Sequence, residues 1–375
     1  MKHVAAAILA MALLISMPAT VFAADDDISV SAQSAVLMDA DSGQLLWEKD
    51  PDTRRLIAST TKIMTALVAL ERCDLDEIVT IDAAWTGIEG SSMYLRPGLV
   101  LSIRYLLYGL MLASGNDAAV AVANIAAGSI EDFAALMNDK AVQLGCENTH
   151  FMNPNGLDDP DHYSSARDLA IIAREAIGNE DFRRIVSTVS KTVGNQTYVN
   201  HNRLLREYPG VFGVKTGYTE AAGRTLVTCC ERGGVTLICV TLSDGHDWAD
   251  HKALYDWAWT RYIAQNVVDG NAWSLPVIGG TAQAVTVTPQ ADLTVTRCEM
   301  DDVRVRYLLP SFVYAPVAAG ETAGEAIALK NGIEVGRVAL VYTTDIAQTE
   351  ERTPTLWERL RTMAARAEGN IFKLS

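Results

Sequence analysis

Apolar residues change their spacing along the chain, and the change predicts mixed strands and helices followed by strands alone. The segment SAVLMDADSGQLLWEKD predicts two short strands joined by a turn at 41–43. A helical region is predicted from near Ser59, and the alanine-rich stretch 104–125 predicts buried helices packed closely together. The segment SARDLAIIAREAI also has helical spacing and places Asp168 in its first turn.

Strand patterns replace helical ones after Val211. The segments RTLVTCC and VTLICVTL flank 231–234, which is a hairpin signal. Strands at both ends of the helical region predict an α/β domain whose sheet draws on both chain ends. From about Val267, alternating segments between turn residues predict a small all-β domain. We therefore predict an α/β domain over 24–265 and a β-rich domain over 266–350.

The first 23 residues fit a secretory signal peptide. A short basic region at Met1–His3 precedes an apolar run at 4–15, and small residues permit cleavage before Ala24. A membrane-spanning anchor is the alternative, but the run is short and is followed by Pro18. We therefore predict that the protein is exported.

The tail over 351–375 has the pattern of an amphipathic helix. Pro354 suits a helix start. One apolar stripe follows, made of Leu356, Trp357, Leu360, Met363, Ala364 and Ala367. Three arginines lie off that stripe: Arg359, Arg361 and Arg366. A locally basic helix on an acidic protein predicts contact with a membrane surface, and packing against its own domain is the alternative.

Charge and cysteine content narrow the possible functions. The formal net charge of −15, without a basic cluster, argues against nucleic-acid binding. The six cysteines show neither the spacing of a disulfide framework nor C-x-x-C pairs, so we predict buried free thiols and no zinc cluster. Cys229 and Cys230 are adjacent in a predicted strand and should face opposite sides of it.

Ser59 and Lys62 form an S-x-x-K motif at the start of the first predicted helix. A serine hydroxyl becomes a good nucleophile only when a base removes its proton. Residues three apart share a helix face, and lysine can act as that base if burial or a nearby cation lowers its pKa. The motif alone is weak, because it occurs by chance in many helices.

Two further tripeptides strengthen the hypothesis of a nucleophilic serine. The segment Ser114–Asn116 is polar inside one of the most apolar parts of the chain, where unpaired polar groups are destabilising. The segment Lys215–Gly217 lies in a predicted strand, where Lys215 can supply a second cation and Gly217 permits close approach of a substrate backbone. S-x-x-K, S-x-N and K-T-G in this order are the signature of penicillin-binding proteins and serine β-lactamases.

The blocks around these motifs resemble the D-alanyl-D-alanine carboxypeptidases of peptidase family S11, the low-molecular-weight penicillin-binding proteins. The similar blocks are AVLMDADSGQLLWEKD, IASTTKIMTALVALE, GSSMYLRPG, LLYGLMLASGNDAA, MNPNGLDDPDHYSSARDLA and VFGVKTGYTEAAGRTLV. The resemblance covers about 27–262 and implies the serine β-lactamase/DD-peptidase-like fold, an antiparallel sheet flanked by helices with a helical subdomain. The β-rich region and the tail resemble the family's small C-terminal all-β domain and membrane anchor in the type of element they predict, more than in any motif.

The resemblance implies a reaction cycle for the motif residues. Lys62 would act as general base for Ser59, which would attack the carbonyl between the two terminal D-alanines of a peptidoglycan stem peptide. Ser114 would relay a proton to the leaving amine, and Lys215 would keep that network poised. Water would then hydrolyse the acyl-enzyme, and β-lactam antibiotics would acylate the same serine as inhibitors.

The resemblance also implies how the substrate is bound. Asn116 would bind the amide backbone of the substrate and Thr216 its terminal carboxylate, beside Gly217. The backbone N–H groups of Ser59 and Tyr218 would form the oxyanion hole. No cofactor and no metal are implied. The family works in peptidoglycan biosynthesis, so we expect a location at the extracytoplasmic face of the bacterial membrane or in the cell wall, and an effect on cell shape.

One departure concerns the carboxylate of the substrate. Many relatives carry an arginine beyond the strand that follows K-T-G. Here that region reads LSDGHDWADHKALYDW, and no arginine follows it until Arg261. Recognition of the carboxylate would then rest on Lys215 and Thr216.

Three other functions fit part of the sequence. A β-lactamase shares the first steps, but the interval between the second and third motifs has no E-x-x-x-N block like that of class A enzymes. A zinc carboxypeptidase would need ligands such as His162, His246 and His251 with neighbouring acids, yet no H-E-x-x-H motif is present. A sensor that is acylated by penicillin without turnover stays open, because a sequence does not measure deacylation.

Overall fold

The computed structural model describes residues 28–349 and 355–371, with side chains of the second range described as far as Met363. The predicted signal peptide lies outside the described residues. Up to 262, the strands are β1 Ser34–Asp39, β2 Leu45–Lys49, β3 Ile78–Thr80, β4 Val100–Ser102, β5 Ser190–Val193, β6 Gln196–Val199, β7 Val211–Thr219, β8 Gly223–Arg232 and β9 Val235–Leu242. The helices there are α1 Lys62–Arg72, α2 Ile103–Leu112, α3 Asn116–Ala127, α4 Ile130–Gln143, α5 Ala166–Ile177, α6 Glu180–Ser187, α7 Leu204–Glu207 and α8 Asp247–Trp259.

The central sheet of this region has the strand order β2-β1-β9-β8-β7, and every neighbouring pair is antiparallel. Because β1 pairs with β9, the sheet draws on both ends of the region, as predicted. The predicted hairpin is also confirmed, with a shorter turn than expected. Arg232 stands opposite Val235, and Gly233 and Gly234 between them both have positive φ, the conformation that two-residue hairpin turns require.

Alternate residues of the strands face two separate apolar clusters. Met38 packs with the helices α1–α6 on one face of the sheet, whereas Leu37 packs with α8 on the other. Cys229 belongs to the first cluster and Cys230 to the second, so the predicted opposite facing of this pair is confirmed. All six cysteines are free thiols, but Cys73 and Cys298 are half-buried, whereas burial was predicted for all six.

The helices on the first face form the largest core cluster. α1 is buried from Lys62 to Ala69, because other helices and the sheet surround it. The predicted helical stretch 104–125 is interrupted between α2 and α3, and this break carries Ser114. Among the described residues, no single helix is long and apolar enough to cross a membrane. One bent pair, α3 with α4 at 83°, meets the criteria of length and composition together.

The predicted β-rich region is confirmed. Its strands are β10 Ile263–Val268, β11 Trp273–Ile278, β12 Ala284–Pro289, β13 Leu293–Arg297, β14 Val303–Leu308, β15 Val313–Tyr314, β16 Thr322–Lys330 and β17 Ile333–Tyr342. A six-stranded sheet has the order β14-β16-β17-β12-β11-β15, and β10 pairs with β13. The domain boundary predicted after 265 therefore falls inside β10.

The tail contains a helix, α9, at Leu356–Ile371. Thr355 precedes it, and its backbone N–H and the side chain of Glu358 are joined at 2.8 Å, as in a capping box. The apolar side chains of Leu356, Trp357, Leu360 and Met363 are exposed. The remaining members of the predicted stripe, Ala364 and Ala367, lie outside the described side chains.

Candidate active site

The structure brings Ser59 and Lys62 into contact. Ser59 lies in a 3-10 turn, Ala58–Thr61, that leads directly into α1. This turn places Lys62 Nζ 2.9 Å from Ser59 Oγ. Ala58 has a φ of 46°, a left-handed conformation that strains a residue with a Cβ atom. A strained residue next to the candidate nucleophile indicates that its placement is imposed by the surrounding structure.

The amine of Lys62 has two other close partners. Nζ lies 2.7 Å from Asn116 Oδ1 and 2.5 Å from the main-chain oxygen of Asn155. A neutral lysine amine has two N–H groups and one lone pair, and an oxygen acceptor can accept each N–H. The lone pair of the amine then faces Ser59 Oγ and can accept the serine proton. Asn155 was not predicted from the sequence, because it acts through its carbonyl group.

The two lysines of the site have lowered pKa values. Burial, followed by the charge of Lys215, holds the pKa of Lys62 well below its usual value. Burial alone lowers the pKa of Lys215 to about 7. Like charges repel each other, so the two lysines disfavour simultaneous protonation. The site can therefore hold a neutral amine beside the serine and a cation nearby.

Ser114 and Lys215 form the second contact of the site. Lys215 Nζ lies 3.0 Å from Ser114 Oγ and 2.8 Å from the main-chain oxygen of Thr216. Ser114 is buried between α2 and α3 and has a φ of 59°. The third motif thus lies against the second, as the predicted proton relay requires.

Asn116 has protein partners at both ends of its carboxamide. Oδ1 contacts Lys62, and Nδ2 donates to the carbonyl oxygen of Glu89 at 2.6 Å. Its neighbour Asp117 accepts backbone N–H groups of Met93 and Leu95, at 2.9 and 3.0 Å. The start of α3 therefore holds the segment 89–95. The predicted contact of Asn116 with substrate stays a prediction, and the structure adds its contact with the candidate base.

Gly217 is required by the packing of β7 against the serine turn. A Cβ atom at this position would lie 2.4 Å from Thr225 Oγ1 and 2.9 Å from the backbone nitrogen of Ser59. The glycine was predicted to admit a substrate backbone, whereas here it admits the backbone of Ser59. β7 therefore lies against the nitrogen of Ser59, and the next residue, Tyr218, was predicted to complete the oxyanion hole.

A cavity of about 320 Å³ opens in front of these residues. The predicted residues that line it are Ser59, Ser114, Thr216, Gly217 and Tyr218. Five lining residues were not predicted: Ser91, His201, Arg224, Asp247 and Trp248. Ser91 lies in GSSMYLRPG, a block noted only as a resemblance. Arg224 lies in the block VFGVKTGYTEAAGRTLV, and Asp247 and Trp248 lie in LSDGHDWADHKALYDW, but neither segment indicated a role for them. His201 belongs to no motif.

Two of the three histidines considered as zinc ligands, His162 and His251, bond to protein groups through their rings. His162 contacts Thr61 Oγ1 at 2.7 Å, and burial lowers the pKa of its ring to about 4. His251 is buried on the other face of the sheet, where its ring nitrogens contact the hydroxyl groups of Thr228 and Thr241. Among the described residues, no group of three His, Cys, Asp or Glu side chains could hold a metal ion.

Comparisons with known proteins match both parts of the chain. The family described as D-alanyl-D-alanine carboxypeptidase, peptidase S11, matches residues 20–245, and the C-terminal domain of penicillin-binding protein 5 matches 267–348. D-alanyl-D-alanine carboxypeptidase DacF of Bacillus subtilis is 33% identical over 355 residues, 88% of this chain and 91% of the relative. DacA of Escherichia coli is 34% identical over 341 residues, 85% of this chain and 84% of the relative. The crystal structure of penicillin-binding protein 5 from Haemophilus influenzae has a TM-score of 0.69 and 30% identity, covering 86% of this chain and 99% of that chain.

Proposed function

We propose a mechanism for this chain from the premise that it belongs to peptidase family S11, the D-alanyl-D-alanine carboxypeptidases. It is a hydrolase of this type with a DD-peptidase fold and a C-terminal β domain. The proposed reaction removes the terminal D-alanine of a peptidoglycan stem peptide through an acyl-enzyme on Ser59, and penicillins acylate the same residue. The observation that carries it is the amine of Lys62 at 2.9 Å from Ser59 Oγ, with Asn116 and Asn155 as acceptors of its two N–H groups.

Acylation begins when Lys62 accepts the hydroxyl proton of Ser59. The serine oxygen bonds to the substrate carbonyl carbon, and the backbone N–H groups of Ser59 and Tyr218 stabilise the oxyanion. The bond to the leaving nitrogen then breaks as Ser114, held beside Lys215, relays to that nitrogen the proton that Lys62 took from Ser59, which leaves Lys62 neutral again. In the second half of the cycle a water molecule attacks the ester carbonyl and gives a proton to Lys62, which returns it to Ser59 Oγ as the ester bond breaks.

Replacement of the nucleophile tests this mechanism. Ser59→Ala should abolish both labelling by a fluorescent penicillin and release of D-alanine from a peptide ending in D-Ala-D-Ala. Ser274→Ala, on an exposed position of β11, makes the same change outside the cavity and should alter neither activity. Labelling of Ser59→Ala at the wild-type rate would refute the assignment of the nucleophile.

The same two measurements separate the alternative functions. Labelling of the wild type without release of D-alanine would indicate a penicillin-binding sensor. Rapid release of hydrolysed penicillin would indicate a β-lactamase, although the group of loop 153–165 that contacts Lys62 is the carbonyl of Asn155, which cannot act as a deacylating base. Turnover that a chelator abolishes would indicate a metal-dependent enzyme.

We also propose that the protein is exported and that α9 contacts the outer surface of the cytoplasmic membrane. The support is the exposed apolar group of Leu356, Trp357 and Met363, together with the arginines of the tail. Truncation after Gln348 should release the protein from anionic liposomes in a flotation assay and leave D-alanine release intact. Equal flotation of the full-length and truncated proteins would refute the contact.

A further inference from the structure

A guanidinium group lines the active-site cavity beside the K-T-G strand. Arg224 is the second residue of β8 and stands opposite Tyr218 of β7. Its side chain is 43% exposed, and it lines the same cavity as Ser59 and Thr216. The cavity that holds the candidate nucleophile therefore also presents a permanent positive charge.

A buried acid fixes half of this guanidinium. Arg224 Nη2 lies 2.8 and 2.9 Å from the two carboxylate oxygens of Asp247, whose side chain is only 4% exposed. Asp247 is itself fixed at the start of α8, where Oδ1 accepts the backbone N–H of Trp248 at 2.9 Å. Across the described residues, Nε and Nη1 of Arg224 have no hydrogen-bond acceptor. Part of the guanidinium is thus immobilised, while other donors stay available to an anion.

The ring of Trp248 makes a cation–π contact with the same guanidinium group. The Cζ atom of Arg224 lies 5.7 Å from the ring centroid of Trp248, and the Cζ atom of Arg203 lies 5.0 Å from the same centroid. Arg203 lines an adjoining cavity, which does not include Ser59, and it pairs with Glu207. Two arginines therefore share one tryptophan, but only Arg224 faces the cavity of the nucleophile.

We propose that Arg224 binds the free carboxylate of the leaving residue, with Asp247 and Trp248 as positioning residues. This inference rests on the proposed function. A guanidinium with free donors matches a carboxylate in charge and planar geometry, and Thr216 offers a hydroxyl in the same cavity. The contact would favour a chain-terminal residue over an internal peptide bond, which has no carboxylate there. The expectation that Lys215 and Thr216 recognise the carboxylate without an arginine omitted Arg224 because it reaches the cavity from another strand.

Two thioester substrates test the contact. Both carry the same N-acyl-D-alanyl group, and the leaving thiol is either mercaptoacetate, which has a carboxylate, or mercaptoethanol, which is neutral. In Arg224→Gln, the ratio of kcat/KM for the charged substrate to that for the neutral one should fall about 10- to 100-fold, as expected for loss of a charged hydrogen bond. The matched control Arg203→Gln removes the same charge from the other arginine that contacts Trp248 and should keep the wild-type ratio.

The ratio of the two kcat/KM values distinguishes a binding role of Arg224 from a purely structural role. A variant that merely misfolds loses both substrates together, so an unchanged ratio in Arg224→Gln would overturn the proposal. A fall of the same size in Arg203→Gln would overturn it too, because a general loss of charge would then explain the effect. If the wild type cleaves both thioesters but releases no D-alanine from a D-Ala-D-Ala peptide, the proposed function fails, while the ratio still decides the role of Arg224.

Discussion

The contact between Asn116 and Lys62 permits a direct test of the proposed base. Asn116→Asp replaces a neutral oxygen 2.7 Å from Lys62 Nζ with a charged one of almost the same shape. A carboxylate at this distance stabilises the ammonium form, so the pKa of Lys62 should rise. The base would then keep its proton at neutral pH and could not activate Ser59. We expect acylation to slow at neutral pH and its acid limb to move to higher pH.

The distance sets the expected size of this effect. Two unit charges 2.7 Å apart in a medium of effective dielectric constant about 20 attract each other by about 6 kcal/mol. Burial of the new carboxylate offsets part of this energy, as does loss of the hydrogen bond from Asn116 Nδ2 to Glu89. If only a quarter is retained, about 1.5 kcal/mol, the ratio of neutral to charged amine falls about tenfold at a fixed pH. We therefore expect the acid limb to move up by about one pH unit, with about a tenfold lower acylation rate constant at pH values below the limb.

The assay is the second-order rate constant for acylation by a fluorescent penicillin, followed from acid to alkaline pH. Asn116→Asp should recover much of its rate at alkaline pH, where Lys62 loses its proton. Asn124→Asp introduces the same charge later in α3 and should leave the acid limb in place. A reduced rate in Asn116→Asp with an unmoved acid limb would refute the assignment of Lys62 as the titrating base.

Three further predictions follow from single contacts. Gly217→Ala places a methyl group 2.9 Å from the nitrogen of Ser59 and should lower the unfolding free energy by about 1 to 3 kcal/mol and slow penicillin acylation, as measured by urea unfolding and labelling rate. Burial lowers the pKa of Lys215 to about 7 in the folded protein, so the unfolded chain binds more protons above that pH. The free energy of unfolding should therefore rise by about 2 kcal/mol between pH 7 and 9, and the urea midpoints of Lys215→Met should lack this rise. Ser165→Ala removes the hydroxyl that accepts the N–H of Asp168 at 3.1 Å and should cost about 1 kcal/mol in urea unfolding without changing the labelling rate.

The fold was predictable wherever one spacing of apolar residues persists over a whole element. β1 is buried throughout and α5 carries a regular apolar face with a serine cap, so both were identified. β15, at Val313–Tyr314, is too short to show a period. The predicted boundary after 265 cuts through β10, because the pairing of this strand with β13 depends on contacts between residues about 30 apart.

The candidate site was predictable only where a motif names a side chain. The three motifs identified the groups that meet around Ser59, since their order and spacing are local properties of the sequence. Asn155 escaped because any residue type offers the same carbonyl group. Arg224 escaped because its partner Asp247 lies 23 positions away on another element, and nothing in either segment indicates that they meet.

Burial of two lysines in one site requires an explanation other than stability. Lys62 is 0% exposed and Lys215 is 2% exposed, and within the described residues neither forms an ion pair. An ammonium without a carboxylate partner is strongly destabilising when buried. The same desolvation lowers the lysine pKa, and each unit of lowering corresponds to about 1.4 kcal/mol of lost stability. The burial that destabilises the fold is therefore the same burial that makes a neutral amine available. A carboxylate placed beside Lys62 would stabilise the fold only by restoring the charged form of the amine.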